Sequence, residues 1–247
     1  MRVRLLGTGN AFHEDGRGSQ CILLDTSPGA ATLVDIGPTA PMAMGRWDVD
    51  PARVDQVFFT HLHGDHTAGW PFLVLDLTFR SRRTRPVELW GPPGLRNTLE
   101  GLTRLCYQGI LDRPPFEVVY HEIDVAEADG CAAAAFRFDV LPMVHHETSV
   151  AYRFHVGGTT VAVSGDTGWC DNLERLSHGT DLLLVECTTV ARQPHSHVSL
   201  EELRQGVGRL ASERIVLVHL TDAVAEDLAR DPLPRVVAGH DGLVVDL

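Results

Sequence analysis

The sequence contains no run of the ~18 apolar residues that a membrane-spanning helix needs. Its opening stretch, Met1-Arg2-Val3-Arg4-Leu5-Leu6-Gly7, lacks the apolar core of a secretory signal and reads as a first strand. Cysteine is sparse and poorly placed for crosslinking. Cys21, Cys106, Cys131, Cys170 and Cys187 are odd in number, widely spaced and without a C-x-x-C pair. That argues against a disulfide framework and a cysteine zinc site, and it suits a reducing cytoplasm with thiols acting as small buried hydrophobes. Excess positive charge is missing too. The formal net charge is −12, whereas proteins that grip long nucleic acids present a basic face to the phosphates. Low-complexity tracts and short repeats are also absent. What remains is a chain of 247 residues, 44% apolar and 22% charged, expected to form one large domain over residues 1–247 with two closely packed halves.

Runs rich in Val, Leu, Ile and Phe, bounded by Gly, Pro, Asp or Asn, read as strands. They cover Arg2–Gly7, Ile22–Leu24, Thr32–Asp35, Gln56–Thr60, Val87–Gly91, Phe116–His121 and Ala134–Val140. Four more follow at Val150–Val156, Thr159–Ser164, Leu182–Cys187 and Arg214–His219, with Gly157-Gly158 as a hairpin turn. Helical spacing places Leu200, Leu203, Val207 and Leu210 on one face of a helix over Leu200–Ala211, opened by the capping box Ser199-x-x-Glu202. Leu95, Leu99, Leu102 and Leu105 mark a second helix, a third starts after His66, and a short one covers Asp171–Leu176. Strand blocks mixed with helices suggest an α+β fold with two sheets and helices outside.

The strongest chemical signal is Thr60-His61-Leu62-His63-Gly64-Asp65-His66, directly after the apolar strand Val57-Phe58-Phe59. Three imidazoles and a carboxylate in so tight a loop are costly to bury without a cation, and they suit a borderline-soft metal such as zinc. Other strands end the same way. His145 and His146 follow Val140-Leu141-Pro142, Asp166 lies in Ser164-Gly165-Asp166-Thr167, and His219 follows Ile215-Val216-Leu217-Val218. One polar residue at a strand end is a cap; four strands ending in His or Asp at one rim form a site.

These motifs resemble the metallo-β-lactamase superfamily over nearly the whole chain, and within it the ribonuclease Z-like phosphodiesterase branch. The resemblance rests on the His-x-His-x-Asp-His motif at 61–66, Gly-Pro-Pro-Gly at 91–94 and Pro142-x-x-His145. It also rests on Ser-Gly-Asp-Thr at 164–167 and on Leu182-Leu183-Leu184-Val185-Glu186. It implies a four-layer αββα sandwich. It implies two metal ions, with His61, His63 and His145 on one, Asp65, His66 and His219 on the other, and Asp166 bridging. His146 competes with His145, which the Pro-x-x-His spacing favours. Zinc is the expected metal, although imidazole and carboxylate sets also accept manganese or iron.

Two metals ~3.5–4 Å apart hold a bridging water and clamp the oxygens of an in-line displacement. Asp65 is the expected orienter or base for that water. His197, 22 residues before His219, resembles the family's proton donor, with His195 as the alternative and Glu186 available as support. Asp35 resembles a buried aspartate beneath the metal loop, and a plain strand-end turn is the competing reading. Gly7-Thr8-Gly9 should line the cleft floor. Arg80, Arg82, Arg83 and Arg85, with Arg96 and Arg104, form either a phosphate-facing rim or a solvated loop. Trp70 and Phe72 either flank an organic group or belong to the core.

Ribonuclease Z proper carries a tRNA-gripping arm between the third histidine and the bridging aspartate. Here that interval is 21 residues, which two expected strands fill. The expected activity is therefore hydrolysis of a small phosphodiester, such as a cyclic nucleotide or short nucleotide fragment. Carboxylic-ester, lactone or thioester hydrolysis is the alternative, followed by tRNA 3′ processing and a non-catalytic metal-binding module. No long nucleic acid or membrane partner is expected, and homodimers are frequent among similar proteins.

Overall fold

Parallel strands deliver all their C-terminal ends to one rim, and in this chain both sheets use that geometry at the same rim. The computed structural model describes all residues except 14, 28, 113, 125–129, 134 and 195–196. The strands of the first sheet are β1 (Arg2–Gly7), β2 (Cys21–Ser27), β3 (Ala30–Val34), β4 (Val54–Phe58), β5 (Val87–Gly91) and β6 (Val118–Glu122). The second contains β7 (Cys131–Ala133), β8 (Phe136–Pro142), β9 (Val150–Val156), β10 (Thr159–Val163), β11 (Leu182–Glu186), β12 (Arg214–Val218) and β13 (Val236–Ala238). β14 (Val244–Asp246) returns to pair with β1, giving orders β14-β1-β2-β3-β4-β5-β6 and β13-β12-β11-β10-β9-β8-β7. β3 to β6 run parallel, as do β10 to β13. β8 and β9 join the second sheet as antiparallel hairpin strands.

Helices cover the outer faces. α1 (Ala40–Arg46), α2 (Gly64–Thr67), α3 (Trp70–Leu75) and α4 (Leu95–Cys106) flank the first sheet. α5 (Asp171–Ser177), α6 (Leu200–Gly206) and α7 (Asp222–Arg230) flank the second. Three apolar layers result, one between the sheets and one under each helical layer. This is the α+β four-layer αββα sandwich that the sequence implied. Among the described residues no helix is long and apolar enough to cross a membrane.

Strand alternation fills the central layer. Phe136, Phe138 and Val140 of β8 and Tyr152, Phe154 and Val156 of β9 all point inward, opposite Phe58 of β4. Phe58 meets Phe138 at 4.9 Å and Phe154 at 5.0 Å, both edge-on, and stacks on Trp90 at 5.8 Å. Edge-to-face rings add to area burial. Phe58→Ala should therefore cost about 3–5 kcal/mol, read as a lowered denaturant midpoint at unchanged slope. Two bonds lock the sheets together at the rim: Val150 N donates to Thr60 O (2.8 Å) and Tyr152 Oη to Phe59 O (2.8 Å).

Several expectations need correction. The strand expected to reach Thr60 ends at Phe58, because the Thr60 amide turns away to Asp35. The helix expected over Leu200–Ala211 stops at Gly206 and continues as a 3₁₀ turn, Val207–Arg209. Gly206 lies against the Trp169 ring, where a Cβ would come within 2.4 Å. Leu105 is 87% exposed, since the buried line of α4 runs Leu95, Leu99, Thr103. Cys21 and Cys187 are buried as expected of small hydrophobes, but Cys106 is exposed.

Candidate metal centre

The loop after β4 is shaped by one buried carboxylate. Asp35, fully buried at the end of β3, accepts from Thr60 N and Thr60 Oγ1, each at 2.9 Å, and from His66 Nδ1 at 2.8 Å. Asp35 and His219 both adopt the left-handed region, with φ of 56° and 51°. Such strain in a non-glycine residue persists where surrounding structure over-determines it, often at functional sites. His63 then turns extended to open α2, which carries Asp65 and His66. Across the rim, Gly165 (φ +58°) approaches Thr60 so closely that a Cβ would lie 2.6 Å from Thr60 Cβ. This close approach sets the neighbouring Asp166 beside the histidine loop.

Among the described residues four overlapping donor groups converge there, each with one atom per residue and all its atoms within 4.8 Å of one another. Two take in His197, with His145 and Asp166 or with Glu186 and His219; of the other two, one is His61, His63 and His145 and the other is Asp65, His66, Asp166 and His219. Asp166 lies between them, with Oδ1 3.4 Å from His66 Nε2 and Oδ2 3.5, 3.8 and 3.9 Å from His219, His61 and His145 Nε2. His66 and His219 Nε2 each approach Asp65 Oδ2 to 3.3 Å. His61 Nε2, His66 Nε2 and Asp166 Oδ1 are buried without a hydrogen-bond partner. Orphaned buried polar atoms are costly and demand an explanation. Inward-facing imidazole and carboxylate donors fit a divalent transition ion.

Burial and neighbouring imidazoles depress the His61 pKa to about 2, leaving its ring neutral and its lone pair available. Burial works against charge on His66 and His219 as well. There Asp166 outweighs it, helped by Asp35 for His66 and by Asp65 for His219, so both pKa values lie above the usual histidine range. Burial likewise opposes charge on Asp65 and Asp166, but the surrounding histidines hold both below the usual carboxylate range. For Glu186, burial and then Asp166 push the carboxyl well above its ordinary range.

Outer contacts fix the rings. His61 Nδ1 lies 3.2 Å from Thr60 Oγ1, and His219 Nδ1 lies 3.1 Å from Thr188 Oγ1, which donates to Glu186 Oε2 (2.9 Å). Glu186 Oε1 accepts from Thr167 N (2.6 Å) and His197 Nδ1 (2.8 Å). The His197 ring stacks 5.7 Å from His219 and sits 4.6 Å from His145. The alternative proton donor, His195, lies outside the described residues. Thr60, Thr167 and Thr188 were missed in the sequence. The available signal was a hydroxyl residue next to a strand-end His, Asp or Glu.

Other expectations resolve into structure. His146 is exposed and turned to Thr148 Oγ1 (3.2 Å), outside both donor groups. Asp35 is no plain turn former, given its three bonds. In the Gly7-Thr8-Gly9 segment, Thr8 N donates to Asp241 Oδ1 (2.9 Å). Most of the arginine cluster is tied to the fold, while Arg82 is exposed. Arg83 is buried on Asp55 (2.5 Å) and three backbone carbonyls, Arg85 also pairs with Asp55, Arg80 with Asp76, and Arg96 and Arg104 with Glu100. Trp70 is fully buried in the outer core, while Phe72 is 41% exposed and packs edge-on against Tyr107.

The family described as "Anti-Pycsar protein Apyc1" matches residues 1–240. The chain belongs to that family. Among curated relatives, a ribonuclease Z of Methanothermobacter thermautotrophicus is 25% identical over 100% of this chain and 97% of its own length. The human "Zinc phosphodiesterase ELAC protein 1" is 32% identical over 54% of this chain and 36% of its own. Among solved structures, the short form of human tRNase Z superimposes with a TM-score of 0.81 at 24% identity, over 100% of this chain and 99% of that one. A diphosphatase of the PhnP family gives 0.76 at 19% identity, over 100% and 97%. These superpositions carry the fold alone, a metallo-β-lactamase sandwich that this chain shares with them.

Proposed function

We propose that this chain, acting as one domain over residues 1–247, is a zinc-dependent phosphodiesterase for a small phosphodiester, a cyclic nucleotide or short nucleotide fragment. The observation that carries this reading is the convergence of seven donors on one rim, with His197 seated on Glu186 beside them. The names of its relatives, ribonuclease Z and zinc phosphodiesterase, support the same reaction class.

His61, His63, Asp65, His66, His145, Asp166 and His219 would hold two divalent ions, which would supply Lewis acidity toward the phosphate and the attacking water. The chain's own groups do the rest. Asp65, half-open to solvent, orients the attacking water through its spare acceptor capacity. Glu186 takes the Nδ1 proton of His197 in a hydrogen bond, which leaves Nε2 to carry a proton to the departing oxygen. His197→Ala should therefore slow cyclic-nucleotide opening, whose alkoxide needs that proton, by about 10²–10⁴-fold. A bis-nitrophenyl phosphodiester, whose leaving group needs no acid, should slow far less at unchanged metal content. Equal losses on both substrates would remove His197 from the donor role.

Metal uptake also has a required pH sign. Their carboxylate neighbours hold protons on His66 and His219 above the ordinary histidine range, and these must be released for an ion to bind. Zinc affinity should accordingly rise as pH rises from 6.5, with proton release measured by calorimetry in buffers of different ionisation heat. An affinity flat across that window would contradict the assignment.

A second reading, tRNA 3′-end processing, is favoured by the ribonuclease Z relatives. Against it stand the net charge of −12 and the β9–β10 hairpin filling the interval from His145 to Asp166. Turnover of cyclic and linear phosphodiesters, a precursor tRNA, aryl esters and lactones on protein of measured metal content separates the readings. Preference for the tRNA or for the acyl substrates would displace the proposal.

A further inference from the structure

The two donor groups are unequal. Asp65, His66, Asp166 and His219 bring two carboxylates and two imidazoles, and three of the four are buried. His61, His63 and His145 bring three imidazoles, of which His63 is exposed. We propose that the carboxylate-bearing group binds its ion first and holds it, while the three-histidine group binds a second ion weakly and exchanges it, so that free metal switches turnover. This deepens the metallohydrolase reading and rests on it.

Three differences act in the same direction. The first is charge. Once His66 and His219 have released their protons, an entering dication meets two formal negatives in one group and none in the other, and Asp35 adds a third negative directly behind His66. Affinity for hard and borderline cations follows the count of charged donors and the rigidity of the site.

The second is preorganisation. His66 is locked by Asp35 at 2.8 Å and His219 by Thr188 at 3.1 Å, so their Nε2 atoms already face inward. In the other group, His61 has a comparable anchor in Thr60. The contact of His63, however, is His145 itself, Nδ1 to Nε2 at 3.3 Å. Those two rings must trade that contact for an ion. Ordering the exposed His63 at the moment of binding subtracts from affinity.

The third is sharing. Asp166 reaches His66 and His219 at 3.4 and 3.5 Å but His61 and His145 only at 3.8 and 3.9 Å. The first ion therefore draws on the shared carboxylate before a second arrives, and its own charge then repels the newcomer.

The test is a zinc titration of chelator-treated full-length protein against a chromophoric chelator, with X-ray absorption on the sample holding one equivalent. Two binding classes separated by about 10–100-fold are expected, the range that loss of supporting contacts costs a metal site. The singly loaded spectrum should fit two imidazoles plus carboxylate oxygens. His63→Ala, a change at an exposed residue, should abolish the weaker class and leave the tighter one intact. A single class for both equivalents, three imidazoles at one equivalent, or loss of the tighter class in His63→Ala would each overturn the inference while leaving the hydrolase reading standing. Failure to bind zinc at all would overturn both.

Discussion

Asp166→Asn is expected to reduce phosphodiester turnover by about 10³-fold or more, because several kcal/mol of transition-state charge stabilisation depend on a full divalent site. Asp166 is 3% exposed and its two oxygens face four histidines, so it links both donor groups. The amide keeps the shape but removes the charge and one acceptor, and its NH₂ would point at nitrogen lone pairs. The same change should lower zinc content at equilibrium, while circular dichroism remains that of the parent. Undiminished turnover in a zinc-replete sample would remove Asp166 from the centre of the site.

Asp35→Asn should weaken zinc binding by about 10–100-fold, the usual effect of removing a carboxylate behind a ligating histidine. Asparagine tolerates the left-handed φ of 56° at this position, so the backbone need not move. The loss falls instead on three donors, Thr60 N, Thr60 Oγ1 and His66 Nδ1, which share one carboxylate. An amide nitrogen cannot accept from any of them, and one donor is left buried and unpaired. Two outcomes should appear together: lower zinc affinity by competition titration and a lower unfolding midpoint in the presence of chelator. A midpoint change without an affinity change would mean that Asp35 supports only the loop.

Much of this was legible in the residues themselves. His61, His63, Asp65 and His66 lie within six positions, so local spacing alone brought them together, and the alternating pattern of β8 and β9 announced an inward face. His145, Asp166 and His219 could be placed at one rim because each ends an apolar run, and parallel strands share a rim. The choice between His145 and His146 was narrowed by spacing, but it was the hairpin entering β9 that turned one ring inward and the other to Thr148.

The rest depended on contacts between segments far apart in the chain, which no local pattern encodes. Arg83 read as part of either a phosphate rim or a solvated loop, yet it closes on Asp55, 28 residues away, and is buried. Asp35 read equally as a buried aspartate beneath the histidine loop and as a strand-end turn, until three bonds from that loop decided for the first. Likewise, Glu186 meets His197 only because β11 and the loop before α6 end at the same edge. The sequence determined the donor types and the layers. Tertiary packing decided which donors are charged, shielded and shared, because burial and distance set electrostatics, and both are properties of the folded chain.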